Sequence, residues 1–206
     1  MTNEQKMLMG KVYDSSDPVL VEKRCKAHRL SKEYNDTFED EKEKRSEILA
    51  KLLPNMGEGT YIQGPIQFDY GDYTTIGENC FFNFNLVVMD CGPVKIGNDV
   101  FFGPNCTLAV PMHPLIADER RKKSKTNPEE HDLEFGRGIT IGDDCWIASD
   151  VTICGGVTIG NGTVIGAGSV VTKDIPDGVL AAGNPCKVIR KITEQDSIFN
   201  KKELFD

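Results

Sequence analysis

Six aliphatic residues recur at six-residue intervals without a break: Ile141, Ile147, Ile153, Ile159, Ile165 and Val171. A second series, Cys145, Val151, Val157, Thr163, Ser169 and Ile175, follows each of them by four positions with small or β-branched side chains. A period of six matches neither the 3.6-residue turn of a helix nor the two-residue alternation of a lone strand. It does match short strands joined by tight turns and wound into a coil. The same grammar runs upstream through Phe68, Ile76-Gly77, Phe82, Val88, Ile96-Gly97, Phe102 and Leu108, with one two-residue stutter between Val88 and Ile96. The pattern predicts a mainly β chain, a parallel β-helix of hexapeptide repeats. Gly142, Gly160 and Gly166, with Asp143 and Asn161 beside two of them, are the expected corners, because glycine accepts positive φ without a Cβ penalty. A single coil cannot bury its own face, whereas a stack can.

The repeat occupies residues 58–190, interrupted by an inserted loop at about 109–138; a loop of that length inside a compact domain is usually functional or disordered. Residues 1–57 differ in kind, being charged and nearly free of glycine from Lys11 to Lys51. Asp17-Pro18 reads as an N-cap followed by proline at the first helical position, with Val19, Leu20, Ala27, Leu30 and Tyr34 as an apolar stripe. Thr37 and Asp40 resemble a capping box opening a second helix through Ile48, Leu49, Leu52 and Leu53 to Pro54. The expected result is an N-terminal α-helical cap covering one open end of the coil, which would otherwise invite strand-edge association. Residues 191–206 form a C-terminal tail.

The net charge of −8 argues against a nucleic-acid partner. No apolar run approaches a membrane span or a signal peptide, so a soluble, cytoplasmic protein with no membrane partner is expected. Seven cysteines without paired spacing, three of them (Cys80, Cys106 and Cys145) on inward repeat positions, read as small core residues in a reducing compartment. Trp146 falls midway between core positions and should face outward.

Three histidines are available for chemistry. His28 sits among helix charges and His131 in the charged segment Asn127–Glu134; both read as ordinary exposed positions, as does the basic run from Arg120 to Lys125. His113 stands in Val-Pro-Met-His-Pro, where the coil gives way to the loop, between two prolines that restrict its backbone. A base held in place loses little entropy when it reacts, which is what general-base catalysis requires. The bland alternative is a turn histidine.

The repeat, His113-Pro114 at the loop and the segment Asn83-Phe84-Asn85-Leu86 leading to Asp90 together resemble the maltose and galactoside O-acetyltransferases. So do the Cys145-Trp146-Ile147-Ala148-Ser149 step, the ending Val171 to Pro176, the tail Ala182 to Arg190 and the opening Gly10-Lys11-Val12-Tyr13-Asp14. The resemblance covers nearly the whole chain. It implies a left-handed coil, an exception to the right-handed crossover rule, assembled as a homotrimer with sites between subunits. It further implies an acyltransferase that moves acetyl from acetyl-CoA to a hydroxyl of a sugar or other small acceptor, directly and with no metal. His113 would be the general base; Asn83, Asp69, Asp90 and Asp14 would lie on the acceptor side, although Asp17 near Asp14 already has sufficient work as an N-cap. Ser149 would offer its backbone N–H to the developing oxyanion. Trp146, Ala167, Thr172, Lys173, Lys187 and Arg190 would line the CoA groove, with Trp146 alternatively at a subunit interface. Competing readings are an acceptor such as an antibiotic or serine, a γ-type carbonic anhydrase and a non-catalytic scaffold. The carbonic anhydrase would need three zinc histidines, of which only His113 is suitably placed.

Overall fold

The computed structural model describes residues 1–121 and 133–205. His131, Lys122, Lys123 and Lys125 lie outside the described residues. The repeat folds as a three-faced prism of short parallel strands. The first face stacks Thr74–Ile76, Val94–Ile96, Ile139–Ile141 and Thr158–Ile159. The second stacks Tyr61–Ile62, Phe81–Phe82, Phe101–Phe102, Trp146–Ile147, Val164–Ile165 and Val179–Ala182, and Lys187–Lys191 closes it antiparallel. The third stacks Ile66–Phe68, Leu86–Met89, Thr107–Ala109, Thr152–Cys154 and Val170–Val171.

In-register pairing places each inner aliphatic on its counterpart. Ile76, Ile96, Ile141 and Ile159 form one internal column, and Phe68, Val88, Leu108, Ile153 and Val171 another. In the third, the Phe82 and Phe102 rings stack at 5.0 Å. All are buried, as is the second series from Cys145 to Ile175. Each large aliphatic or phenyl side chain in these columns contributes roughly 1.5–3 kcal/mol of burial. All seven cysteine thiols are free, and Cys80, Cys106 and Cys145 sit in the core.

The corners differ from expectation. Gly142, Gly160 and Gly166 do not take positive φ; the left-handed positions of the coil include Gly59, Asn79, Asn85, Asp99, Asn105, Asp144, Asp150, Gly156, Gly162, Gly168 and Gly178. The glycine after the aliphatic serves close approach instead. A Cβ on Gly97 would lie 2.8 Å from the Asp143 nitrogen, and one on Gly142 2.8 Å from the Asn161 nitrogen. That closeness lets side-chain carboxyl and amide oxygens bridge the coils: Asn98 Nα–H donates to Asp143 Oδ1 (2.7 Å), Asp143 N–H to Asn161 Oδ1 (2.8 Å) and Asn161 N–H to Asp177 Oδ1 (2.7 Å).

At the N-terminal end, helix α1 (Asn3–Leu8) precedes α2 (Pro18–Asn35) and α3 (Lys42–Leu52). Asp17 caps α2, accepting from Val19 N–H at 3.0 Å, with Pro18 at its first position. The expected box at Thr37 is absent: Thr37 Oγ1 donates back to Tyr34 O (2.6 Å), and α3 starts after Glu41 with no side-chain cap. Helix α1, by contrast, does open on a capping box, Thr2 with Gln5. The helices satisfy the backbone of the first coil. Asn35 pairs with Ile66 through both its amide groups (2.8 and 2.7 Å), while buried Arg45 donates to Ile62 O (2.7 Å) and Gln63 O (2.8 Å). No helix among the described residues is long and apolar enough to cross a membrane.

One edge of the prism carries the insertions that break the six-residue period. Ile76 pairs with Ile96, twenty residues on, whereas Ile141 pairs with Ile159, eighteen on. The two extra residues occur twice, between Phe68 and Ile76 and between Val88 and Ile96, so the expected single stutter is two, at the same corner. The long insertion leaves from that corner too. Its arms are not loop: Pro111–Met112 pairs antiparallel with Leu133–Gly136, which pairs in turn with Tyr13–Asp14 from the N-terminal segment.

Candidate active site

The three-stranded ribbon at the irregular edge sets the geometry around His113. Met112 lies opposite Phe135, and Tyr13 opposite Glu134, so His113 emerges beside Glu134. The imidazole is exposed, and its Nε2 stands 4.0 Å from Glu134 Oε2, whose side chain is mostly covered. That separation is too long for a hydrogen bond, but it leaves the carboxylate next to the imidazole. Glu134 Oε1 accepts a hydrogen bond from the Tyr13 hydroxyl. Glu134 belonged to a stretch read as charged loop; the alternation Leu133-Glu134-Phe135 was the one strand signal that could have found it.

Beside this lies a second polar group. Arg24 of α2 donates to Tyr70 OH (3.1 Å) and Ser15 O (3.4 Å). Burial pulls its guanidinium down, but Tyr70, Asp69 and Glu134 outweigh that and hold it above its ordinary value. Burial raises the Tyr70 phenol to about 12 against the pull of Arg24. Asp69 is partly exposed, and His28, read as an ordinary surface residue, places Nε2 3.4 Å from Asp69 Oδ1. Sequence reasoning missed Arg24 and His28 because their role depends on α2 folding back over the coil edge. Asp14 lies on the same ribbon, opposite Leu133, with Oδ1 accepting from Ser16 N–H (3.0 Å) and Oγ–H (2.7 Å).

Asp90 requires a correction. It is fully buried and faces inward: Oδ1 accepts from Tyr70 N–H (2.8 Å), and Oδ2 from Gly71 N–H (2.8 Å) and Thr74 Oγ1–H (2.9 Å). It organises the corner that presents Asp69 and Tyr70 and has no surface to offer an acceptor. Burial raises its carboxyl to about 6, against the lowering effect of those hydrogen bonds.

The remaining candidates fall elsewhere on the chain. Thr172 and Lys173 are exposed on the His113 edge, beyond Val171. Asn83, Ser149 and Ala167 lie on a different edge, between the second and third faces, where Asn83 Oδ1 accepts from Phe84 N–H at 2.8 Å. Trp146 is 55% exposed on the second face. It continues an outward aromatic column of Tyr61, Phe81 and Phe101, in which neighbouring centroids are 6.0 and 6.3 Å apart. Lys187 and Arg190 are exposed on the closing strand, but Arg190 is held by Asp196 in a two-point pair of 2.7 and 2.6 Å. One chain therefore divides the candidates between two edges of the prism and its second face.

A hexapeptide prism whose inserted ribbon presents a histidine beside a carboxylate is an arrangement with relatives. Residues 6–57 match the maltose acetyltransferase hexapeptide capping motif, 138–173 the bacterial transferase hexapeptide (six repeats) and 93–112 the hexapeptide repeat of succinyl-transferase. The chain is 39% identical to the galactoside O-acetyltransferase of Escherichia coli K12, over 98% of this chain and 96% of that one. It superposes on the crystal structure of a maltose O-acetyltransferase from Clostridium difficile 630 with TM-score 0.87 and 41% identity, covering 94% of this chain and 99% of that one. A galactoside acetyltransferase in complex with coenzyme A gives TM-score 0.87 and 40% identity, covering 95% and 94%. The chain belongs to the maltose and galactoside O-acetyltransferase family of hexapeptide-repeat acyltransferases, and its coil is the left-handed β-helix of that family.

Proposed function

We propose that this protein transfers acetyl from acetyl-CoA to a hydroxyl of a sugar-like acceptor, with His113 as the general base, at sites formed between the subunits of a homotrimer. The observation that carries the reading is the division of candidates just described. His113, Asp69, Asp14 and Lys173 lie along one edge, while Asn83, Ser149 and Ala167 lie along another; abutting one chain's first set against its neighbour's second set completes a site. The outward column of Tyr61, Phe101 and Trp146, all exposed, with half-buried Phe81 between the first two, is the kind of apolar surface that such packing covers. The complex of a related acetyltransferase with coenzyme A supports the donor.

In the reaction, His113 takes the acceptor hydroxyl proton as the oxygen attacks the thioester carbonyl. The carbonyl π pair moves onto oxygen, where the Ser149 N–H stabilises it. Collapse breaks the carbon–sulfur bond, and the imidazolium returns the proton to the departing thiolate, leaving the acetyl ester and CoA. The Glu134 carboxylate lies beside the ring on which positive charge develops during the transfer. On the acceptor side, Asp69, Asp14, Arg24 and His28 offer the mixed donors and acceptors that a polyhydroxyl compound requires.

A panel of sugars assayed with acetyl-CoA by release of free CoA tests this. His113→Ala is expected to lower turnover by about 10²–10⁴, the usual worth of a general base, with CoA binding and sedimentation unchanged. Turnover equal to wild type with a good acceptor would remove His113 from the role.

A further inference from the structure

The Tyr13 hydroxyl is placed where no acceptor reaches it. The ring is 1% exposed, enclosed between the N-terminal segment and the coil edge, and the hydroxyl donates to Glu134 Oε1. The other oxygen of the same carboxylate stands 4.0 Å from His113 Nε2. Strand pairing fixes the contact as well, because Tyr13 lies directly opposite Glu134 in the ribbon. We propose that Tyr13 is a positioning residue for the reaction: its hydroxyl anchors one oxygen of Glu134 so that the other remains aimed at the His113 imidazole.

A glutamate without such an anchor samples many directions. Its side chain has three rotatable bonds, and a carboxylate beside an exposed histidine would otherwise turn toward water or toward Arg24, whose charge it already feels. A buried phenol that donates to one oxygen removes those alternatives. Burial, the nearby Cys91 and Glu134 itself all push the phenol well above its ordinary value, so the hydroxyl remains a donor across the working pH range. The anchor comes from the segment preceding α2. Helical cap and catalytic ribbon are thereby one mechanical unit, which gives the cap a part in the chemistry beyond covering the end of the coil.

The proposal rests on the reading of His113 as the base, and the test separates the two. Tyr13→Phe keeps the ring and removes only the hydroxyl. It is expected to lower kcat about 3- to 10-fold while changing the KM for acetyl-CoA and for the acceptor less than twofold. In the Glu134→Gln background, Tyr13→Phe is expected to have little further effect, because residues acting as one unit are non-additive. Imidazole ¹H–¹⁵N spectra supply a readout that needs no turnover: the His113 signals should move in Tyr13→Phe while those of His28 remain in place. A wild-type kcat in Tyr13→Phe, a full additive loss on top of Glu134→Gln or unmoved His113 signals would each overturn the proposal. Moved His113 signals together with an active His113→Ala would instead uphold the anchor and remove the general-base reading.

Discussion

Asp90 has both carboxylate oxygens committed to the corner between Phe68 and Ile76, and this makes its protonation a stability switch. Its carboxyl is raised to about 6 in the folded chain against about 3.9 for an unfolded aspartate. The folded state therefore binds the proton more tightly. The resulting stability is fully present below about pH 4, declines as pH rises and is gone above about pH 6. Asp90→Asn keeps an acceptor for Tyr70 N–H but cannot titrate. Over the window from pH 4 to 7, the wild type is expected to lose on the order of 2–3 kcal/mol relative to this variant, read as a converging difference in denaturation midpoint. A difference independent of pH would mean that the three donors, rather than burial, govern the group. The same residue marks the limit of what sequence reveals about the site. The position of Asp90 was legible, but its direction was not, because two extra residues at the corner turn it inward. His113 was legible from its prolines and its place at the end of the coil. Glu134, Arg24 and His28 reach the site only through pairing and packing across long stretches of chain, which no local pattern records.

At the scale of the coil element, the repeat separates two demands that glycine can meet. Gly142 has ordinary φ but no room, since an added Cβ would lie 2.8 Å from the Asn161 nitrogen of the next coil. Gly162 has φ +61° with no atom within 4 Å of an added Cβ. Gly142→Ala must therefore spread the coils and break the Asp143–Asn161 bridge, at a cost of at least about 1–3 kcal/mol. Gly162→Asn meets only the left-handed penalty, roughly 1 kcal/mol and less for asparagine than for most residues. Asn79, Asn85 and Asn105 already occupy equivalent corners in this chain. Thermal denaturation of the two variants should rank them in that order; the reverse ranking would mean that backbone angle and not inter-coil distance limits the corner. The six-residue period revealed the three faces and the inner columns because burial alone enforces it. The corner roles differ from the sequence expectation because the bend falls two residues after the glycine, at Asn79, Asp99, Asp144 and Gly162, and the repeat spacing does not show which residue of the corner carries it. The ribbon was read as loop because its strands are short and pair with partners distant in sequence.

Considered as a whole molecule, a chain of net charge −8 has to attract a polyanionic donor locally. Lys173 and Lys187 are exposed and available, whereas Arg190 is bound by Asp196, which that pairing and the Thr193 N–H hold down at about 2. If Arg190 faces the phosphates of CoA, Asp196 is a competing anion at the same guanidinium. Asp196→Ala is then expected to lower the KM for acetyl-CoA, and Arg190→Ala to raise it, with the acceptor KM and kcat changing less because the contact acts on ground state and transition state alike. Exposed charges are screened over about 10 Å at 0.1 M salt, so both differences should shrink as salt is raised toward 0.5 M. Steady-state kinetics across that range check the sign and the trend together. Opposite shifts that fade with salt place the nucleotide end of CoA at the closing strand. Unchanged KM in both variants would move it toward Lys173, on the edge that carries His113.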